Sequence, residues 1–178
     1  MGTICLYYGC SLDGYIEGDN HDLSWLPEGE DFVDYTGFIK TVDATVMGRN
    51  TLETIIGFGV DWPYPDSDNY LLSKSPAPKN IPIQNINGPL TDFLFDLKKK
   101  HSGRIWIVGG PMLHTELLEK NLIDEIILTV IPALVGSGVS LLKQPGFKTQ
   151  KWILKELIRF GERGFQSIYI PNKKALVA

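Results

Sequence analysis

The chain has 178 residues, 43% of them hydrophobic, enough for one domain with a sizeable core. A net charge of -4 and a pI near 5.4 argue against a nucleic-acid protein, whose binding face would be basic. No window approaches the roughly 20 apolar residues of a spanning helix, so no membrane association is expected.

Residues 3–8 read as a strand rich in Ile, Leu and Tyr. Cys5 and Cys10 would point to opposite faces of it, so no local disulfide is expected and a reducing, cytoplasmic setting fits. The strand runs into Gly9-Cys10-Ser11-Leu12-Asp13-Gly14, where Asp13-Gly14 is a turn dipeptide. Beyond a polar loop and Trp25-Leu26-Pro27, the spacing of Phe32, Tyr35, Ile39 and Val42 predicts a helix over 31–42 with acidic residues in its first turn.

Residues 43–47 read as a strand, 48–51 as a turn and 52–56 as a short helix. A loop dense in Gly, Pro and Asp comes next over 57–68, then short strands at 69–72, ending at Ser73-Lys74, and at 81–86. Leu90, Phe93, Leu94 and Leu97 mark a helix, with Lys98-Lys99-Lys100 complementing its dipole and Gly103 as its cap. Residues 105–108 read as a strand buried on both faces, Gly109-Gly110 as a bare turn, and Pro111 opens a helix carrying Leu113, Leu117 and Leu118.

The β-branched strand at 124–131 leads into a loop over 132–138, and 152–160 and 165–170 flank Gly161-Glu162-Arg163-Gly164 as a hairpin would. Alternating strands and helices predict a largely parallel sheet with helices on its faces that finishes antiparallel, a single domain over 1–171 with a tail at 172–178. His21, His101 and His114 have no ligand spacing, so no metal site is expected.

Two strand-to-helix junctions bear glycine, one at Gly48 and one at Gly109-Gly110. A bare turn lets a ligand approach the backbone, and the unpaired N–H groups of a first helical turn favour an anion. Two such junctions suggest a ligand with two anionic ends, of which a dinucleotide is the commonest; ordinary tight turns are the alternative.

Val46-Met47-Gly48-Arg49-Asn50-Thr51-Leu52-Glu53 is similar to the Met-Gly-Arg-x-Thr segment of the dihydrofolate reductase superfamily, and Ile107-Val108-Gly109-Gly110 to its second glycine turn. Ser11-Leu12-Asp13-Gly14 and Pro132-x-Leu134-x-Gly136-x-Gly138-x-x-Leu141 resemble one branch: the C-terminal reductase domain of the bifunctional riboflavin-biosynthesis deaminase/reductase and its stand-alone relatives. The resemblance implies a three-layer α/β/α fold with a mostly parallel mixed sheet of about eight strands and a C-terminal antiparallel hairpin. It also implies an NADPH-dependent oxidoreductase that passes a hydride to a small heterocyclic, pyrimidine- or pteridine-like substrate. A true dihydrofolate reductase and a non-catalytic nucleotide-binding or interaction module are the other readings. Related domains often pair, and the apolar strand at 152–160 could pack on its own copy, so a homodimer is expected.

By the same resemblance, Arg49 and Lys74 would face the ribose 2'-phosphate of NADPH, with Thr51 and Ser73 donating to phosphate oxygens and Asn50 beside them. Gly109, Gly110, Pro111, Met112 and Leu113 would lie along the pyrophosphate and nicotinamide half, with Gly9 and Ile16 near the nicotinamide. Trp25, Glu30, Asp31 and Asp34 are the candidate substrate-binding residues, although the carboxylates equally suit a helix start. Asp13 is the candidate proton donor, or else a turn residue. Tyr7 stands where the riboflavin-pathway branch carries a Lys that meets the substrate phosphate.

Overall fold

Strand β1 (Thr3–Ser11) sets the layering of the molecule. Successive strand side chains point to opposite faces: Ile4, Leu6 and Tyr8 enter one buried cluster, while Cys5 enters a second and Tyr7 packs against it. Both faces therefore need a cover. The computed structural model, which describes residues 1–27, 35–142 and 146–172, supplies it with helices on each side.

After β1 come β2 (Tyr15–Glu17), α1 (Tyr35–Ile39), β3 (Val42–Gly48), α2 (Arg49–Gly57), β4 (Asp68–Leu72) and β5 (Gln84–Asn85). The chain continues with α3 (Leu90–Lys100), β6 (Arg104–Val108), α4 (Pro111–Glu119), β7 (Glu125–Ile131), β8 (Val139–Ser140), β9 (Trp152–Arg159) and β10 (Phe165–Pro171). Eight strands form one sheet in the order β5-β4-β3-β6-β1-β7-β10-β9, and β2 pairs with β8 in a separate antiparallel ribbon. Pairing is parallel from β5 to β7 and antiparallel at β10 and β9. Leu94 and Leu97 of α3 and Leu117 and Leu118 of α4 cover the first face, and Phe38 of α1 and Leu52 and Ile55 of α2 cover the second. The chain thus has the expected α/β fold.

Three boundaries differ from expectation. Helix α2 begins at Arg49, so the segment 49–51 is its first turn and not a loop; Gly48 caps it with extended backbone and no side-chain bond, leaving no Ser, Thr or Asp to signal the start. The strand expected over 81–86 shrinks to β5, because Pro82 sits inside a tight turn closed by Ile83 N–H donating to Ile81 O at 2.8 Å. His101, not Gly103, caps α3. Gly103 is instead a close approach: its N–H donates to Asp43 Oδ2 at 2.6 Å, and a Cβ there would lie 2.8 Å from Thr41 O. Helix α1 is described only from Tyr35, and the tail from 173 onward also falls outside the described residues.

Each Lys of the basic run meets a carboxylate, Lys98 on Asp124 at 2.6 Å, Lys99 on Asp96 at 2.9 Å and Lys100 on Asp68 at 2.6 Å. The run is therefore a set of ion pairs and not an open cationic patch. Cys5 and Cys10 are both free and buried. No described helix is long and apolar enough to cross a membrane. At the sheet edge β9 leaves Ile153, Leu154, Leu157 and Ile158 exposed.

His114, in α4, is almost fully buried, with Nε2 placed 3.2 Å from Ile107 O and Tyr8 edge-on at 5.0 Å between ring centres. Burial holds the imidazole down at about 4, against an ordinary 6.5. The native state refuses a proton that the unfolded chain accepts in that window. Stability from this group is complete above pH 6.5 and falls as the pH drops toward 4, by about 3 kcal/mol in all. Urea unfolding across that range should show this slope in the parent and a flatter one in His114→Leu.

Candidate functional site

Strands β3 and β6 are neighbours and parallel, with Met47 beside Val108, so the chain leaves both strands at the same edge of the sheet. Two helices start there. Gly48 caps α2 at φ -84 and ψ 169, and Gly110 caps α4 at φ -82 and ψ 166, so the chain enters both helices in nearly the same way. Neither cap has a side-chain bond, which leaves first-turn N–H groups without intrahelical partners. Between them lies an open cleft of about 820 Å³, lined by Gly48, Arg49, Asn50 and Thr51 from one junction and by Gly110, Pro111, Met112 and Leu113 from the other. The two junctions singled out in the sequence share one cleft.

The three glycines at this edge have different jobs. Gly109 has φ 116, and a Cβ on it would lie 2.9 Å from Thr51 Cβ, so its bareness lets the two junctions touch. Gly48 and Gly110 have ordinary backbone angles, and a Cβ on either would meet nothing within 4 Å. Internal packing does not demand glycine there. What a side chain would occupy is the cleft, the space a ligand's phosphates would need to reach the amides.

Charge is uneven along the cleft. Arg49 donates from Nε to Ser73 Oγ at 3.2 Å and from Nη2 to the carbonyls of Ser75 and Pro76, both at 2.8 Å. Lys74 is exposed on the same loop. Glu116 and Glu119, which sequence reasoning missed, line the cleft farther along α4, where Glu116 is paired with Lys120 at 2.6 Å. A helix N-terminus is worth about 0.3–1 kcal/mol to an anion and a charge-assisted hydrogen bond about 1.5–3 kcal/mol. An anion meeting the Arg49 guanidinium would therefore gain more than one meeting a helix start alone. Val108 and Val139 complete the wall; the inward place of Val139 comes from the β2–β8 pairing, which has no local sequence signal.

Asp13 is a clasp. It accepts from Ser11 Oγ at 2.6 Å and from the N–H groups of Val135 at 3.1 Å and Gly136 at 2.7 Å, tying the end of β1 to the 132–138 loop. The Ser11 hydroxyl and then these amides hold its carboxyl down at about 2, so it stays ionised near neutral pH and has no proton to give. The proton-donor role expected of Asp13 does not fit this geometry. Gly138 completes the loop at φ 134, where a Cβ would lie 2.7 Å from Gly18 Cα.

Gly9 lies beside Leu26 and Ile131, and a Cβ there would make ordinary contacts at 3.6 and 3.4 Å. Ile16, in β2, packs against the first core cluster. Trp25 donates its indole N–H to Asp22 O at 3.2 Å, which fixes the ring on its own loop. Tyr7 stacks on Phe38 at 4.2 Å between ring centres. Glu30, Asp31 and Asp34 lie outside the described residues. Among the described residues no group of His, Cys, Asp and Glu is arranged to hold a metal ion.

With this geometry in place, comparison with known proteins is decisive about the family. Residues 73–164 match the RibD C-terminal domain. The chain belongs to that family. It is 35% identical over 160 residues to the uncharacterized Bacillus subtilis (strain 168) protein YwjB, covering 88% of this chain and 91% of that one. A solved structure from Shewanella sp. PV-4, provisionally assigned to riboflavin biosynthesis, superposes with a TM-score of 0.84 at 27% identity, over 96% of this chain and 99% of the other. Dihydrofolate reductase from Enterococcus faecalis, solved with NADP(H), shares the fold at a TM-score of 0.67 and 18% identity, over 97% and 98% of the two chains. The family is one of reductase domains.

Alanine at the three glycines separates their roles. Gly110→Ala should leave the thermal midpoint nearly unchanged, since Ala adopts the extended backbone of Gly110 and lowers the entropy of the unfolded chain by about 0.4–1 kcal/mol, which offsets its poorer fit at a helix N-cap, yet weaken NADPH binding at least about tenfold. Gly109→Ala should instead lower stability by about 1–3 kcal/mol through backbone strain and the Thr51 contact. Thermal unfolding and cofactor titration on both variants check this, and a Gly110→Ala protein that binds NADPH normally would contradict it.

Proposed function

We propose that the protein is an NADPH-dependent reductase that passes a hydride to a small heterocycle of the pyrimidine or pteridine kind. The observation that carries the reading is the pair of side-chain-free helix starts, Gly48 and Gly110, on one cleft. A phosphorylated dinucleotide suits that cleft. First-turn amides of α2 and α4 serve its pyrophosphate, although Pro111 has no N–H and leaves α4 one donor short. Arg49, with Ser73 and Lys74 beside it, serves the ribose 2'-phosphate.

Bound NADPH would supply the hydride, and the chain's part is to orient it against an acceptor away from water. Gly9 and Ile16 would flank the nicotinamide, as the family resemblance implies. Tyr7 bears on the acceptor. A phenol stacked on Phe38 offers a flat apolar ring where the riboflavin-pathway branch has a cation, so an unphosphorylated heterocycle fits this chain better than a phosphoribosyl one.

Titrations with NADPH and NADH, run on the parent and on Arg49→Ala, test the reading. The parent should bind NADPH more tightly, and Arg49→Ala should remove about 1–3 kcal/mol of that preference, the range of a charge-assisted contact. Equal binding of the two cofactors by the parent would count against it, as would a preference that survives the substitution. An acceptor panel followed by cofactor oxidation, with and without phosphate on the heterocycle, then separates the substrate classes.

A further inference from the structure

The loop that receives Arg49 is held from its other side by a residue of the edge strand. Asn85, in β5, accepts from the N–H of Ala77 through Oδ1 at 2.6 Å and donates from Nδ2 to Ser73 O at 3.2 Å and to Ser75 O at 3.0 Å. One carboxamide therefore spans residues 73–77. The Ser75 carbonyl is shared, because Arg49 Nη2 donates to it at 2.8 Å. Ser73 is engaged twice more, its hydroxyl accepting from Arg49 Nε and from the N–H of Ser75 at 3.1 Å. Strand pairing fixes the clamp in place: Leu71 lies beside Asn85, and Ile86 N–H donates to Leu71 O at 2.9 Å, one residue before the loop departs from β4.

The geometry points to Asn85 as the positioning residue for cofactor selection: by clamping the 73–77 loop it fixes the carbonyls that aim the Arg49 guanidinium at a 2'-phosphate. A guanidinium has five N–H donors in a rigid fork. In Arg49 three of them are engaged by Ser73, Ser75 and Pro76, which sets the plane of the fork and leaves the Nη1 edge for a ligand. An arginine without fixed acceptors must be ordered when the phosphate arrives, and the side-chain entropy lost then weakens binding. Asn85 supplies the order beforehand. Its side chain is half-buried and is not part of the cleft lining, so it acts on the phosphate only through the loop and Arg49.

This inference rests on the reading of Arg49 as the 2'-phosphate ligand, and two probes keep the two apart. Adenosine 2',5'-bisphosphate and adenosine 5'-phosphate, titrated calorimetrically, differ by the 2'-phosphate alone and require no turnover. Parent, Asn85→Ala and Asn85→Ser are compared, with a thermal midpoint for each; Ser stays polar and uncharged but is too short to span residues 73–77. The expected result is that both variants bind the bisphosphate roughly three- to tenfold more weakly, while binding of the monophosphate and the thermal midpoint change little. A purely structural role for Asn85 would lower the midpoint or weaken both probes alike, and that outcome would overturn the inference. So would an unchanged ratio in the two variants. If the parent itself fails to prefer the bisphosphate, the Arg49 reading fails first and this one with it.

Discussion

The parallel pairing of β3 with β6 is the constraint on which the site depends. With Met47 beside Val108, the two strands end level, and the helices after them must begin side by side. The contact of Gly109 with Thr51 holds that arrangement at its tightest point, since no larger residue allows the backbone of one junction to meet the side chain of the other. The positive ends of two helix dipoles then share one cleft. Each is weak alone, and their convergence is what would suit a ligand with several phosphates.

Around this pair, longer contacts set the details. The Asp13 carboxylate closes the end of β1 onto the 132–138 loop, whose continuation into β8 brings Val139 to the cleft wall. On the other side Arg49 reaches over to the 73–77 loop, and Asn85 steadies that loop from the sheet edge. Each loop is tied back by a polar side chain with two or more partners, Asp13 for one and Asn85 for the other. Such residues set the position of a loop through several hydrogen bonds at once, so replacing one changes loop geometry more than core packing.

How much of this is legible in the sequence depends on the range of each interaction. Strand, glycine and helix stand next to one another at 46–52 and 107–118, so both junctions can be read locally, and the four motif blocks place them in a family. The three-layer fold comes from the alternation of elements. The start of α2 escapes a sequence reading because Gly48 caps it through backbone alone, and β5 is overextended because apolar Ile81, Ile83 and Ile86 mask the turn at Pro82. Asp13 looks like an acid in the sequence because its partners, Val135 and Gly136, lie over 120 residues away. Arg49 is found by its place in the motif, but its three loop contacts span 24 to 27 residues and have no pattern in the chain.

The most direct test of a shared phosphate-binding cleft is an NMR titration of the isotopically labelled protein with NADPH, tracking backbone amide shifts. The largest changes should fall on the first turns of α2 and α4, at Arg49, Asn50, Thr51, Met112 and Leu113 together, and saturate at one affinity. Changes confined to one of the two helix starts, or centred elsewhere with both left unmoved, would contradict the idea that they form a single phosphate-binding cleft.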